Sequence, residues 1–195
     1  MTPRDSRRVF AMAMAFLGGC LLHLSVARAA SWQNNAQLLY RHLGRLHWIA
    51  EGRGPKVLYD FIDLNAPNDH ALFTRLAPLL SRDHLVVRQL LVGYLKTSSA
   101  GKAAAILQSR DPRAALARAE SRFSAQGAPV APIPVRPATQ RILQANFQAL
   151  TALEGNPWMR MAPLLVYRSQ TGHVHVFQGY LTSTRLAAII GRAGP

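Results

Sequence analysis

Residues 57–76, VLYDFIDLNAPNDHALFTRL, decide the fold of this 195-residue chain. Val57–Ile62 is a short apolar run rich in β-branched and aromatic residues, which predicts a largely buried strand. A turn at Asn65–Asn68 follows, and the spacing then predicts a helix over about Pro67–Leu80 with its proline in the first turn. Ala66–Asp69 is therefore expected at a helix N-terminus, where backbone N–H groups and the helix dipole favour a negative group.

A second strand and two helices are predicted downstream of this strand–turn–helix unit. Val86–Val92 has the apolar, β-branched composition of a buried strand. The polar residues Thr97–Ser99 are expected to cap an alanine-rich helix that continues to Ser109. The next helix is expected to begin with Asp111 as N-cap and Pro112 as its first residue.

The C-terminal third predicts a helix, a hairpin and a last helix. Residues 125–137 contain four prolines and predict an extended surface connector, with a polyproline ligand as the alternative. A helix over about 138–153 follows the connector. Two short strands, Leu164–Tyr167 and His173–Phe177, are joined by a turn, and the chain ends in a helix over about Thr182–Ile190.

An amphipathic helix is predicted upstream of the first strand. Leu39, Leu43, Leu46 and Ala50 recur at steps of four, three and four residues. This spacing predicts one apolar stripe on a helix over about Ser31–Glu51. The order that results is β-α-β, then α-β-β-α. This is the order of an α/β thioredoxin-like fold with a helical insertion at about 97–153, preceded by a linker helix at 30–54.

The first 29 residues have the layout of a secretory signal peptide. A basic start is followed by the apolar run Val9–Leu22 and by the small-x-small site Ala27–Ala29. We expect cleavage after Ala29 and a periplasmic location, with residues 55–195 as the thioredoxin-like domain. An uncleaved anchor and a lipoprotein signal at Cys20 are the alternatives, and only these would attach the chain to a membrane.

Composition excludes several kinds of site. The chain has one cysteine, which rules out an intramolecular disulfide, a CxxC redox pair and a cysteine-built zinc site. His173 and His175 alternate on one strand face and lack nearby acidic residues, so no metal and no other cofactor is expected. The formal charge of +14 is carried by scattered basic residues. This pattern favours acidic lipids, glycans or protein partners over nucleic acid.

Several short segments between residues 40 and 192 match the pattern of a known family. The turn after the first strand reads Asn65-Ala66-Pro67-Asn68-Asp69-His70. The other segments are His47-Trp48, Glu51-Gly52, Leu91–Lys96, Ala103–Leu107, Asp111-Pro112, Met161-Ala162-Pro163 and Gly179–Leu181. Together these segments resemble the DsbC/DsbG family of periplasmic thiol:disulfide interchange proteins, and DsbG most closely. The family has Asn-Cys-Pro-x-Cys-His, or a near variant, at its active-site entry.

Two departures from the family pattern change the expected activity. The four CxxC positions are Ala66, Pro67, Asn68 and Asp69, so both cysteines are replaced and no catalytic residue is predicted. Thiol–disulfide exchange needs an attacking thiolate and a second thiol to resolve the mixed disulfide. The predicted signal peptide also runs almost directly into the linker helix, where the family has an N-terminal dimerisation domain. The family's dimer is therefore not expected, and a monomer is the expectation.

The resemblance implies that a peptide-binding surface survives without the cysteines. Its members would be Ala162, Pro163 in the family's cis-proline loop, and His70, with an extended substrate strand pairing with the backbone before the proline. The leading hypothesis is a redox-inactive chaperone or assembly factor that binds unfolded or extended polypeptide. A scaffold component of a conjugation or secretion machine is one alternative, and a thiol:disulfide interchange protein that uses a partner's thiol is another.

Two acidic residues of the decisive stretch have competing interpretations. Asp60 lies six residues before Ala66, the spacing at which thioredoxins keep a buried proton acceptor. Without a cysteine there is no thiol proton for Asp60 to accept, and Asp60 is expected to face solvent at a strand edge. Asp69 is expected to satisfy N–H groups of the first helical turn, since a hydrolytic Asp69–His70 pair would lack a nucleophile.

Overall fold

The predicted strand–turn–helix unit lies at the centre of the molecule. The computed structural model describes residues 36–154 and 163–195, so the signal-peptide region, Cys20, Met161 and Ala162 lie outside the described residues. A five-stranded sheet has the order β1-β3-β2-β4-β5. Its strands are β1 (Ile49–Gly52), β2 (Lys56–Ile62), β3 (Leu85–Leu91), β4 (Leu164–Arg168) and β5 (Val174–Gln178).

The sheet is mixed, with one parallel pair at its centre. β2 runs parallel to β3 and antiparallel to β4, while β1 and β5 are antiparallel edge strands. The register sets Asp60 opposite Gln89 on β3 and opposite Leu165 on β4. The apolar composition of β2 follows from this position, because a central strand is covered on both faces.

Helices cover both faces of the sheet. α1 (36–43) and α6 (Pro137–Glu154) pack on one face, and α2 (Pro67–Leu76) and α7 (Ser183–Arg192) pack on the other. A third core joins the ends of β2 and β3 to the insertion helices α4 (Ser99–Leu107) and α5 (Pro112–Glu120). In the described part of the chain, no helix combines the length and apolarity needed to cross a membrane.

The predicted helix over about Ser31–Glu51 is wrong beyond residue 43. The described helix α1 ends there, and Ile49–Gly52 forms the edge strand β1 on β3. Burial within β1 alternates, with Ile49 and Glu51 buried, so these residues satisfy a two-residue period instead of the helical one. The apolar spacing that predicts a helix therefore spans two elements, with Leu39 and Leu43 in α1 and Ala50 in β1.

Other boundaries differ for local reasons. The helix predicted over Pro67–Leu80 is interrupted, because α2 ends at Leu76 and Pro78 leads into a short helix α3 (Leu79–Arg82). Proline lacks the N–H that would continue the first helix. The predicted N-cap of α5 is confirmed, since the Asp111 carboxylate accepts a hydrogen bond from Ala114 N–H at 3.0 Å.

Candidate functional site

The functional site predicted from sequence lies at the carboxyl end of β2. The turn that follows this strand leads directly into α2, with Pro67 in its first turn as predicted. β4 begins at the same end, because Leu164 pairs with Phe61 near the end of β2. Pro163, the buried residue before β4, therefore lies at the edge of the sheet where the turn begins, and its carbonyl accepts a hydrogen bond from Gly179 N–H at 2.9 Å.

The four residues at the CxxC positions divide into an exposed pair and a buried pair. Pro67 and Asn68 face solvent, whereas Ala66 and Asp69 are buried. The Asp69 carboxylate accepts a hydrogen bond from Asp63 N–H at 2.7 Å. This hydrogen bond of Asp69 thus reaches back to the end of the strand, and the expectation that it satisfies N–H groups of the first helical turn is wrong.

Asp63 is the hub of a buried hydrogen-bond network. Its Oδ1 accepts from Asn65 N–H at 3.0 Å and from the Ser99 hydroxyl at 2.8 Å. Its Oδ2 accepts from Tyr94 N–H and Leu95 N–H, each at 3.0 Å. One carboxylate therefore fixes the turn before α2, the loop after β3 and the start of α4 at once.

A lysine of the insertion completes this network. Lys102 Nζ donates to Asn65 Oδ1 at 2.8 Å and to the Ala128 carbonyl at 2.7 Å. Asn65 also donates to Ser99 Oγ at 2.9 Å, so the Ser99 hydroxyl is hydrogen-bonded within this network. The predicted side-chain cap of α4 is wrong, because no side chain at its N-cap accepts from the helix. Desolvation by burial lowers the pKa of Lys102, with the positive charge of Lys96 adding to the effect.

Asp60 is fully buried, and the expectation that it faces solvent is wrong. It lies on the central strand β2 between β3 and β4, so it has no free edge. Neither carboxylate oxygen has a hydrogen-bond partner that meets ordinary geometry among the described residues. Desolvation raises the pKa of Asp60 well above its usual range, the side chain of Gln89 lowers it in part, and the charge of Glu120 raises it further.

Two further carboxyl groups lie within electrostatic reach of Asp60. Burial is the main cause of the raised pKa of Asp69, and the charges of Asp60, Asp63 and Glu120 add to it. Burial likewise raises the pKa of Glu120, which the nearby His70 lowers through a hydrogen bond and its charge. Burial therefore opposes ionisation of all three acids, and the negative charge of Glu120 adds to this effect at Asp60 and at Asp69.

His70 connects this acid cluster to the surface. Its Nδ1 lies 2.9 Å from Glu120 Oε2, and its ring stacks on Phe123 with centroids 4.3 Å apart and planes 4° from parallel. The histidine side chain is 29% exposed while that of Glu120 is 1% exposed. The insertion thus supplies both the hydrogen-bond partner and the stacking partner of a residue in the predicted peptide-binding set.

The buried carboxyl group of Asp60 should make the free energy of unfolding depend on pH. The folded-state pKa of Asp60 is raised above the unfolded value, so the protonated group contributes stability that is fully present below about pH 4 and is lost as pH rises through the folded-state pKa. Asp60→Asn removes this ionisation. We expect the variant to gain free energy of unfolding relative to wild type, and the gain to grow between about pH 5 and about pH 8.

Urea unfolding of wild type and Asp60→Asn across that pH range measures the difference in free energy of unfolding. The change Asp83→Asn at a surface ion pair is the control for removing a carboxylate elsewhere. An Asp60→Asn difference that does not change with pH would contradict a raised pKa of Asp60 in the folded protein.

The two histidines near β5 do not join this site. His173 is exposed, and His175 is partly buried with its ring stacked on Tyr167 at 4.9 Å. Desolvation lowers the pKa of His175, with contributions from the charges of His173 and Arg192. In the part of the chain that the structure describes, no group of three or more His, Cys, Asp or Glu is arranged to hold a metal ion.

Comparison with known proteins gives this geometry a context. No family model matches the chain. The thiol:disulfide interchange protein DsbG of Pseudomonas aeruginosa is 28% identical over 159 residues, which cover 80% of this chain and 60% of that protein. The chain is similar to DsbG. The Escherichia coli DsbG is 25% identical over 158 residues, again covering 60% of its length, so the chain spans about three fifths of the DsbG proteins it matches.

Solved structures show that this DsbG-like chain is thioredoxin-like in fold. A linker-deletion variant of Proteus mirabilis ScsC matches with a TM-score of 0.65 at 16% identity, covering 98% of this chain and 95% of that one. A periplasmic thioredoxin-like protein from Salmonella enterica matches with a TM-score of 0.58 at 16% identity, covering 74% of this chain and 88% of that one. The α/β fold class predicted from the order of elements is therefore confirmed.

Proposed function

We propose that the chain is a redox-inactive DsbG-like protein of the bacterial periplasm that binds extended or unfolded polypeptide in a chaperone or assembly role. The observation that carries the proposal is the occupation of the two cysteine positions by a buried alanine and a buried, hydrogen-bonded aspartate. The surrounding thioredoxin-like frame is kept. Such a protein would retain a binding surface and lack the exchange chemistry.

The case for redox inactivity is chemical. An exchange step needs a thiolate to attack a disulfide sulfur and a second thiol to release the mixed disulfide. Ala66 has no reactive atom, and the Asp69 carboxylate cannot form a sulfur–sulfur bond. The single cysteine of the sequence is Cys20, which belongs to the predicted signal peptide. A chain cleaved after Ala29 would contain no thiol.

Exposed residues around the turn between β2 and α2 support polypeptide binding. The side chain of Leu95 is 47% exposed although its N–H is held by the buried Asp63. Pro67 and Asn68 are exposed on the turn, and Pro163 lies at the same end of the sheet. An exposed apolar side chain on a hydrogen-bonded backbone, at the end of the sheet where β4 begins, suits an extended chain that binds by backbone pairing and side-chain contacts.

The periplasmic location rests on the first 29 residues and on the relatives. The basic start, the 14-residue apolar run and the small-x-small site have the layout of a secretory signal peptide. The Salmonella neighbour is described as a periplasmic protein. A location outside the cytoplasm would place the binding surface among exported polypeptides before they fold.

Binding of a fluorescent, reduced and carboxymethylated polypeptide, followed by anisotropy, tests the surface. Leu95→Asp should weaken binding about tenfold or more, because it puts a charge where apolar contact is expected. Pro163→Thr should also weaken it. The matched controls are Leu38→Asp at an exposed leucine on α1 and Pro55→Thr at an exposed proline by the opposite end of β2. Neither control should change the affinity.

Circular dichroism on each variant separates loss of binding from loss of fold. Unchanged affinity in folded Leu95→Asp and folded Pro163→Thr would show that this surface does not bind the polypeptide. Equal losses in the two controls would show that binding depends on general surface chemistry.

A further inference from the structure

The loop after β5, residues 179–182, lies beside the sheet edge at which polypeptide binding is proposed. Gly179 N–H donates to the Pro163 carbonyl at 2.9 Å, which extends the pairing of β5 with β4 by one residue. The next residue, Tyr180, is 56% exposed. Leu181 is buried and packs in the core that α2 and α7 share with the sheet. The loop therefore has a buried anchor and presents one large aromatic side chain to solvent.

Arg75 of α2 is held against this loop. Its Nη1 donates to the Leu181 carbonyl at 3.0 Å, and its Nη2 donates to the Tyr180 hydroxyl. Its guanidinium carbon lies 4.4 Å from the centre of the Tyr180 ring. A guanidinium has five N–H donors, so these two hydrogen bonds leave other donors unused. Within the described part of the chain, no carboxylate lies at ion-pair distance from Arg75. The arginine is thus a positioned cation without a counter-charge there.

A second arginine contacts the same segment. The guanidinium carbon of Arg185, in the first turn of α7, lies 5.0 Å from the centre of the Phe177 ring. The first turn of α7 contains no acidic residue. Among residues 36–154 and 163–195, no carboxylate forms an ion pair with Arg185 either. The segment from Phe177 to Leu181 therefore contacts two cations whose charge no described carboxylate pairs.

The acidic residues of the protein do little to offset this positive charge at the surface. Among those whose side chains the structure describes, only Asp83 and Asp111 are not buried. Asp83 pairs with Arg82 ahead of β3, at the end of the sheet opposite the turn because β2 and β3 are parallel. Asp111 caps α5. Both are engaged by other partners, so a carboxylate that approaches the loop after β5 meets an excess of positive charge.

We propose that the loop after β5 binds an acidic side chain of the extended polypeptide, with the Arg75 guanidinium donating to its carboxylate and the Tyr180 ring packing beside it. This inference rests on the proposed polypeptide binding and names its substrate class, extended segments in which an acidic residue lies among apolar ones. A hydrogen bond from arginine to a carboxylate is charge-assisted and stronger than one to a neutral amide. A lysine of the client would be repelled. Because Tyr180 and Leu181 already hold the guanidinium, less side-chain freedom is lost on binding.

The test uses three short, end-blocked peptides of alternating valine and threonine, which differ only at one central position that is glutamate, glutamine or lysine. Binding to the protein at neutral pH is followed by the anisotropy of an uncharged fluorophore. We expect the glutamate peptide to bind about tenfold more tightly than the glutamine peptide, as a hydrogen bond to a charged group implies, and the lysine peptide to bind most weakly. Arg75→Gln should remove the preference for glutamate. Arg53→Gln, at an exposed arginine between β1 and β2, should keep it.

Two substitutions at the exposed Tyr180 test the site with the arginine in place. Tyr180→Glu puts a carboxylate next to the Arg75 guanidinium and should make the affinities for the glutamate and glutamine peptides equal, because the added group occupies the donors. Tyr180→Gln removes the same ring without adding a charge, and it should keep a clear preference for glutamate. The two variants differ only in charge, so they decide the question even where Arg75→Gln fails to fold.

Equal affinity of wild type for the glutamate and glutamine peptides would overturn this proposal and leave general polypeptide binding in place. A glutamate preference that persists in folded Arg75→Gln would also overturn it. The same conclusion would follow if Arg53→Gln lost the preference equally, or if Tyr180→Glu and Tyr180→Gln showed the same preference. Failure of all three peptides to bind wild type would overturn the proposed polypeptide binding itself, and the carboxylate site with it.

Discussion

Replacing Asp63 with alanine is expected to lower the free energy of unfolding by about 3–5 kcal/mol. The side chain is almost fully buried and accepts four hydrogen bonds, from two backbone N–H groups of the loop after β3, one of the turn and the Ser99 hydroxyl. Its removal leaves these buried donors unpaired, at about 1–3 kcal/mol each before relaxation. The loss is a large part of a typical domain's stability of about 5–15 kcal/mol.

Urea unfolding of wild type, Asp63→Ala and Asp63→Asn measures this effect. Asp63→Asn should be intermediate, since its amide keeps one acceptor oxygen and replaces the other with a donor. Asp83→Ala provides the control at an exposed pair, where a loss below about 1 kcal/mol is expected. A loss of the same small size in Asp63→Ala would show that the network does not hold the turn.

Cysteines introduced at positions 66 and 69 are expected to add disulfide chemistry to the protein. In a Cys20→Ser background, the double change Ala66→Cys and Asp69→Cys should create an intramolecular disulfide and measurable insulin reduction, where the parent has neither. Residue 66 is the N-cap of α2 and residue 69 lies in its first turn, a spacing that a disulfide can bridge. The helix N-terminus also lowers the pKa of a thiol there.

Thiol counting and mass spectrometry detect the disulfide, and precipitation of reduced insulin detects exchange. The single changes are the controls, because Ala66→Cys alone can only form mixed disulfides and Asp69→Cys alone lacks the attacking position. A folded double variant that keeps two free thiols under oxidising conditions would contradict the equivalence of these positions with the CxxC of DsbG.

Sequence patterns predicted the elements whose cause is local. The apolar run of β2, the proline in the first turn of α2 and the Asp111 cap of α5 depend on residues within a few positions of one another, and all three are present. β1 was missed because its edge pairing with β3 is made by residues almost 40 positions away. A helical spacing over one short window could not show that pairing.

The polar site depended on distant contacts and was mostly missed. Asp60 was expected at an edge, but its burial is decided by both neighbouring strands and by the helices on each face. Lys102, a lone cation in an alanine-rich helix, was the one signal that could have indicated a buried partner. Glu120 gave no signal, since its contact with His70 joins residues 50 positions apart.

A side-by-side assay decides whether the protein binds unfolded polypeptide and lacks disulfide chemistry. The chain without residues 1–29 is assayed for insulin reduction and scrambled-ribonuclease reactivation, and for suppression of aggregation of a reduced client. We expect no activity in the two disulfide assays together with slowed aggregation of the client. Disulfide activity from a chain that contains no cysteine, or unchanged aggregation of the client, would contradict it.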